Sequence, residues 1–333
     1  MQKVCILGDG SWGTTLAMLL FAKGCNVTLW SYDSEYAVLL DNKRENIKFL
    51  PGITIPEGIE ITSCIDVALK DKDFIVIAVP SVYFRGVVKK IKGMPQEAIF
   101  ISVTKGIEID KFKRASEVIV EELGKVRFGV LSGPTIANEV VSEKPSSVVS
   151  ASSNEDIAKK IQNLFLSPSF RIYTSCDVIG VELGGAIKNI IAIAAGICDG
   201  LELGNNAKAA LLSRGLAEMV KFGKVNGARS ETFFGLSGLG DMITTCFSPQ
   251  SRNRSIGEKV GRGMKLKEIL KEMDMIAEGI YTVKAVYEFS KIQKIDMPIT
   301  EKVYQVLYDS KNPRNAVNEL MQREPKSESV AGE

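Results

Sequence analysis

The chain contains no histidine, so proton transfer near neutral pH has to rest on another side chain. Lys188 is the leading candidate. It is the only charged residue between Glu182 and Asp199. Its helical neighbours three and four positions away are Gly184, Gly185, Ile191 and Ala192, none of them polar. Burial disfavours an ammonium, and this is how a lysine among apolar groups comes to give and take a proton. The competing reading is a lysine whose stem lies on an apolar face while its head reaches water. Gly184-Gly185 beside it favours close approach by a ligand or a second helix.

Other segments offer partners for such a lysine. Lys105 follows an apolar run at Val103-Thr104, where a parallel strand would deliver it to a ligand. Gly133 and Thr135 lie in LSGPT after another such run, and Asp241 closes the glycine-rich turn GLSGLGD. Ser251-Arg252-Asn253-Arg254 precedes a helical pattern. Hydroxyl, guanidinium and amide at a helix N-terminus suit a phosphate. Taken singly, each also reads as a loop lysine, a plain turn or a solvated helix start.

Residues 8–13 read GDGSWG, directly after a β-branched run and at the start of a helical pattern. In that setting G-x-G-x-x-G is a dinucleotide-binding loop. Gly8 permits the tight turn, Gly10 lets a pyrophosphate approach, and Gly13 lets the helix pack on the strand. The next strand ends in Leu29-Trp30-Ser31-Tyr32-Asp33, with neither an acid nor an arginine at its tip. The sequence leaves NAD and NADP both open and leans to NAD, because no cation is adjacent.

These groups need elements to hold them. Strand patterns fall at 3–8, 26–30, 60–62, 74–79, 98–103, 128–131, 147–151 and 171–174, with helical patterns at 12–23, 34–46, 81–91, 112–123 and 155–165. This alternation predicts an α/β, doubly wound, largely parallel Rossmann-type sheet. From 178 onward strand signal gives way to helices at 178–200, 207–226, 254–263, 266–273, 282–290 and 300–308. The expected division is a dinucleotide-binding domain over 1–177, an all-α substrate and catalytic domain over 178–323, and a polar tail over 324–333.

Composition narrows the field. A chain of 333 residues is long for one core. With 42 basic against 40 acidic residues the net charge is +2, which gives no global field for nucleic acid or an anionic membrane. The longest apolar stretch, 190–198, is too short to span a bilayer, and the N-terminus carries no basic-then-apolar leader. Six cysteines without a C-x-x-C pair read as small buried hydrophobes in a reducing, cytoplasmic setting. No metal site is expected.

In order along the chain, GDGSWGTTLA, IAVPS with FR, TKGIE, LSGPTIANE, GVELGGAIKN, GLSGLGD, SRNRSIG and AEGIYT resemble the bacterial-type NAD(P)-dependent glycerol-3-phosphate dehydrogenases. The likeness runs through nearly the whole chain, and GVELGGAIKN and SRNR are its most specific parts. It implies reversible hydride transfer between NAD(P)H and dihydroxyacetone phosphate, giving sn-glycerol 3-phosphate for phospholipid synthesis, with Lys188 as the proton-transferring residue. It places Lys105, Gly133, Thr135, Lys188, Asp241, Ser251, Arg252 and Asn253 against the substrate. It places Gly8, Gly10, Ser11, Trp12, Gly13, Tyr32, Lys105, Ala137, Arg252, Ile276 and Glu278 against the cofactor. It also implies a homodimer. The chain departs from the family pattern at Tyr32, where a basic residue is common, and at Val82, where a histidine commonly follows the VPS motif. Two rival readings are a β-hydroxyacid dehydrogenase of similar build and a nicotinamide-binding redox sensor without catalysis.

Overall fold

The computed structural model describes residues 1–91, 93, 97–273, 275–325 and 327–328. Most of the expected tail over 324–333 lies outside the described residues. The chain forms two compact units, the first comprising Met1–Lys105 and Lys113–Val178, the second Gly106–Phe112 and Ile179–Glu333.

The first unit is built on β1 (Lys3–Leu7), β2 (Asn26–Trp30), β5 (Glu60–Thr62), β6 (Phe74–Ile77), β7 (Ile99–Ser102), β8 (Arg127–Ser132), β9 (Ser146–Ala151) and β10 (Phe170–Ser175). These form one sheet in the order β10-β9-β8-β7-β6-β1-β2-β5. β1 and β6 pair in parallel at the point where the winding reverses, which is where such sheets bind ligands. The central strands are almost wholly apolar and buried, as in Phe74–Ile77 and Ile99–Ser102, because helices cover both faces.

One pair departs from the parallel expectation: β8 and β9 run antiparallel. The helix between them, Ala137–Val141, has five residues, roughly 7.5 Å at 1.5 Å per residue. That is too short to return the chain along a six-residue strand. A hairpin of β3 (Glu45–Asn46) and β4 (Leu50–Thr54) was not foreseen. It forms because the helix Ser34–Lys43 stops at Arg44, which adopts a left-handed conformation with φ 48°, so residues 44–46 leave the expected helix. The helix expected from 112 begins instead at Ala115. Phe112 is left-handed at φ 55°, and its ring packs on Phe289 of the second unit's core. With Ile107 also buried in that core, residues 106–112 belong to the second unit rather than to the first domain.

The second unit is helical. Its centre is Val178–Gly200, with 19 of its 23 residues buried. The helix has the bounds expected over 178–200, and although its length and hydropathy match a membrane span, 89% of its apolar window is buried inside the protein. It is a core helix. Around it lie Gly204–Val225, Asp241–Phe247, Arg252–Gly261, Leu266–Lys271, Glu278–Ile292, Pro298–Tyr308 and Pro313–Met321. The crossing with Arg252–Gly261 is backbone on backbone. A Cβ on Gly196 would strike the Arg254 carbonyl oxygen, and one on Gly257 would strike that of Ile193. Glycines four apart on both helices, Gly196/Gly200 and Gly257/Gly261, allow this approach.

Candidate active site

Lys188 lies in the middle of the buried helix with 6% of its surface exposed. Its Nζ donates to Asp241 Oδ1 at 3.0 Å and to Thr245 Oγ1 at 2.5 Å. Asp241 is 1% exposed, so this is a buried ion pair in which the carboxylate compensates the ammonium. Local sequence explains the placement. Leu236–Gly240 forms a single π-turn directly before the helix Asp241–Phe247, and a Cβ on Gly184 would stand 2.7 Å from the Ser237 carbonyl oxygen. Gly184 lets the turn lie against the lysine's helix, so it makes room for backbone. Thr245 had not been singled out. Its hydroxyl donates to the Asp241 carbonyl at 2.6 Å, leaving its lone pairs to Lys188. The signal available in the sequence was its position four residues after Asp241, on the same helical face.

A second polar line runs from the same helix. Asn253 Nδ2 donates to Asn189 Oδ1 at 2.8 Å, and Asn253 Oδ1 accepts from the Gly279 amide at 3.0 Å. These bonds join the residue after Lys188 to SRNR and to AEGIYT. Arg252 is exposed and donates to the Ile276 carbonyl at 2.7 Å. Ser251 caps the helix Arg252–Gly261, its hydroxyl accepting from the Arg254 amide at 3.2 Å. The second unit therefore brings Lys188 together with Asp241, and Ser251, Arg252 and Asn253 together with Ile276 and Glu278.

The first unit gathers the remaining candidates. Lys105 Nζ donates to the Gly133 carbonyl at 2.7 Å and to Thr135 Oγ1 at 3.0 Å, just past the ends of β7 and β8. Gly133 has φ +147°, and a Cβ there would stand 2.9 Å from Val148 Cα. Beside it, Ser132 Oγ is buried and has no hydrogen-bond partner among the described residues. Ala137 begins the short helix next in the chain, and its carbonyl accepts from Thr15. Among the described residues no group of three His, Cys, Asp or Glu is arranged to hold a metal.

The GDGSWG loop fits a dinucleotide pyrophosphate. Gly8 has φ +118°, and a Cβ there would lie 2.6 Å from the Ala78 carbonyl oxygen. A Cβ on Gly13 would strike the Gly8 carbonyl oxygen, whereas one on Gly10 would meet nothing within 4 Å. The outer two glycines serve packing, and the middle one faces open space. The helix Ser11–Ala22 has no side-chain cap and no acid in its first turn, so its leading amides and positive end are left to an anion. Trp12 packs on Phe170 with ring centroids 6.3 Å apart. Tyr32 is 73% exposed beside the edge of Trp30. A cation does stand there, contrary to the sequence reading: Lys90 Nζ lies 4.7 Å from the Tyr32 ring centroid.

Comparison with known proteins agrees along the whole chain. Residues 3–158 match the model of the NAD-dependent glycerol-3-phosphate dehydrogenase N-terminus, and residues 177–318 that of its C-terminus. The glycerol-3-phosphate dehydrogenase [NAD(P)+] of Geobacter sulfurreducens is 46% identical over 332 residues, covering 98% of this chain and 99% of the relative. The protein of the same name from Prosthecochloris aestuarii is 47% identical over 329 residues, covering 98% and 99%. A crystal structure of glycerol-3-phosphate dehydrogenase from Coxiella burnetii superposes with a TM-score of 0.94 at 39% identity, covering 97% of this chain and 99% of that one. D-mandelate dehydrogenase shares the fold alone, at 12% identity and a TM-score of 0.64.

Proposed function

This chain belongs to the NAD-dependent glycerol-3-phosphate dehydrogenase family, and from that premise we propose that it interconverts dihydroxyacetone phosphate and sn-glycerol 3-phosphate with Lys188 as the proton-transferring residue. It is an oxidoreductase of the nicotinamide dinucleotides, NAD or NADP. The observation that carries the role of Lys188 is its burial against Asp241 and Thr245. The carboxylate and the hydroxyl fix the ammonium in one place, and pre-positioned donors contribute most where charge develops in the transition state.

The nicotinamide cofactor, when bound, supplies the hydride that reaches the carbonyl carbon. Lys188 gives a proton to the carbonyl oxygen, so the ketone becomes an alcohol; in reverse the neutral amine takes the hydroxyl proton. Asp241 keeps the ammonium compensated while the proton is on nitrogen. Arg252 and Asn253 hold the phosphate, and Ser251 lends its hydroxyl proton there. The phosphate is remote from the reacting carbon, and its binding energy orients that carbon. The family resemblance supports assigning Lys105, Gly133 and Thr135 to the substrate, and GDGSWG, Tyr32, Ala137, Ile276 and Glu278 to the cofactor.

All six cysteines are unpaired, which supports a reducing, cytoplasmic location, although Cys64 and Cys176 are exposed rather than buried. A homodimer and a role in supplying glycerol 3-phosphate to phospholipid synthesis complete the proposal. Lys188→Ala should lower kcat at least about 10³-fold while NADH fluorescence still reports cofactor binding. Near-normal turnover in that variant would remove the lysine from the mechanism.

A further inference from the structure

The tip of β2 lacks the acid that such folds use to hold an adenosine ribose, and a carboxylate reaches the same place from elsewhere. Asp9, between the first two glycines of GDGSWG, accepts from the Ser31 hydroxyl through Oδ2 at 2.6 Å. Ser31 is the residue immediately after β2 and is fully buried. The loop is clamped there from behind. The Asp9 carbonyl accepts from Asn46 Nδ2 at 2.7 Å and from Thr14 Oγ1 at 3.2 Å. Asn46 in turn accepts from the Tyr36 hydroxyl at 2.7 Å, and the β3–β4 hairpin holds it in place. The half-buried Asp9 carboxylate is thus built in, and among the described residues no side chain other than Ser31 donates to it.

Asp33, the acid the sequence offers near the strand tip, is engaged through one oxygen as a helix cap. Its Oδ1 accepts from the Glu35 and Tyr36 amides at 2.9 and 3.1 Å, capping the helix Ser34–Lys43. We propose that Asp9 is the ribose-reading residue of this enzyme. Its carboxylate would accept from the adenosine 2′-hydroxyl and repel a 2′-phosphate, so that the enzyme prefers NADH to NADPH. The inference rests on the dinucleotide reading of the loop given above.

Among the described residues, Asp33, Lys48 and Lys90 are further charges at this corner. Burial raises the Asp9 carboxyl, and Asp33 acts in the same direction, while the Ser31 hydrogen bond and Lys48 act against it. Like Lys48, Lys90 is a cation that would favour a 2′-phosphate. It stands on the faces of Tyr32 and Trp30, 4.7 and 5.8 Å from their ring centroids, a contact that holds an exposed ammonium in place.

The test is direct titration of the purified full chain with NADH and with NADPH, read by nicotinamide fluorescence, with no substrate present. The wild-type protein should bind NADH at least about tenfold more tightly than NADPH, one hydrogen-bonded pair being worth about that much. Asp9→Asn keeps the shape and an acceptor for Ser31, and should narrow the ratio about tenfold or more, by weaker NADH and tighter NADPH binding. Asp33→Asn should leave the ratio unchanged. Tighter binding of NADPH by the wild-type protein, lost in Lys90→Met, would overturn the proposal, as would an Asp9→Asn variant in which both affinities shift alike. Failure of the wild-type protein to bind either dinucleotide would instead overturn the reading of the loop itself.

Discussion

At the scale of single residues, the site is a small set of buried polar groups whose partners are fixed. Lys188 was legible because it interrupts a long apolar run, and Asp241 because it closes a glycine-rich turn. That the two touch was not legible, since they lie 53 positions apart and the intervening chain carries no signal of the return path. Thr245 and Asp9 were missed because a threonine in a helix and a variable position in a glycine loop look ordinary until their hydrogen bonds are seen. The Lys188–Asp241 pair yields a prediction that separates charge from packing. Removing one partner of a buried pair leaves an uncompensated charge and costs about 3–5 kcal/mol. Asp241→Ala should therefore be strongly destabilised in urea. Lys188→Met/Asp241→Ala, which removes both charges, should recover part of that loss. A double variant less stable than the single one would mean that the pair acts through shape rather than charge.

At the scale of elements, the glycines divide into those that serve packing and those that serve ligand. All strands of the main sheet and its longer helices were legible from period and apolar runs, with ends shifted by a few residues. What was not legible depended on backbone conformation at single positions, such as the left-handed Arg44 that opens the hairpin and the left-handed Phe112 that releases residues 106–112 to the second unit. The helices Val178–Gly200 and Arg252–Gly261 cross through Gly196 and Gly257. Gly257→Ala should force them apart, costing about 1–3 kcal/mol as overpacking does. Because Asn253 and Arg252 begin that helix, KM for the phosphate-bearing substrate should rise with it. Gly10→Ala is the contrasting case. A Cβ there meets no protein atom within 4 Å, so the urea midpoint should be unchanged while NADH binding weakens at least about tenfold, the methyl occupying the space a pyrophosphate needs. Equal losses of stability in the two variants would refute this division of labour.

At the scale of the whole molecule, stability should carry the mark of one carboxyl far from the catalytic lysine. Glu218, in the helix Gly204–Val225, accepts from the Ile299 amide, the Thr300 amide and the Thr300 hydroxyl. It thereby ties that helix to the start of Pro298–Tyr308, 82 positions further along. It is 4% exposed. Burial outweighs the three donors and raises its pKa from 4.5 to about 7. A raised carboxyl binds its proton more tightly folded than unfolded, so its contribution is complete below pH 4.5 and is lost as pH climbs through 7. The shift corresponds to about 3 kcal/mol at most. Glu218→Gln keeps the size and one acceptor and removes the titration. Its stability relative to the wild-type protein, taken from urea midpoints, should therefore improve between pH 5 and about 7.5. A difference that stays constant over that range would mean the carboxylate is ionised throughout. The three donors would then dominate burial, and the residue would act as a fixed helix cap.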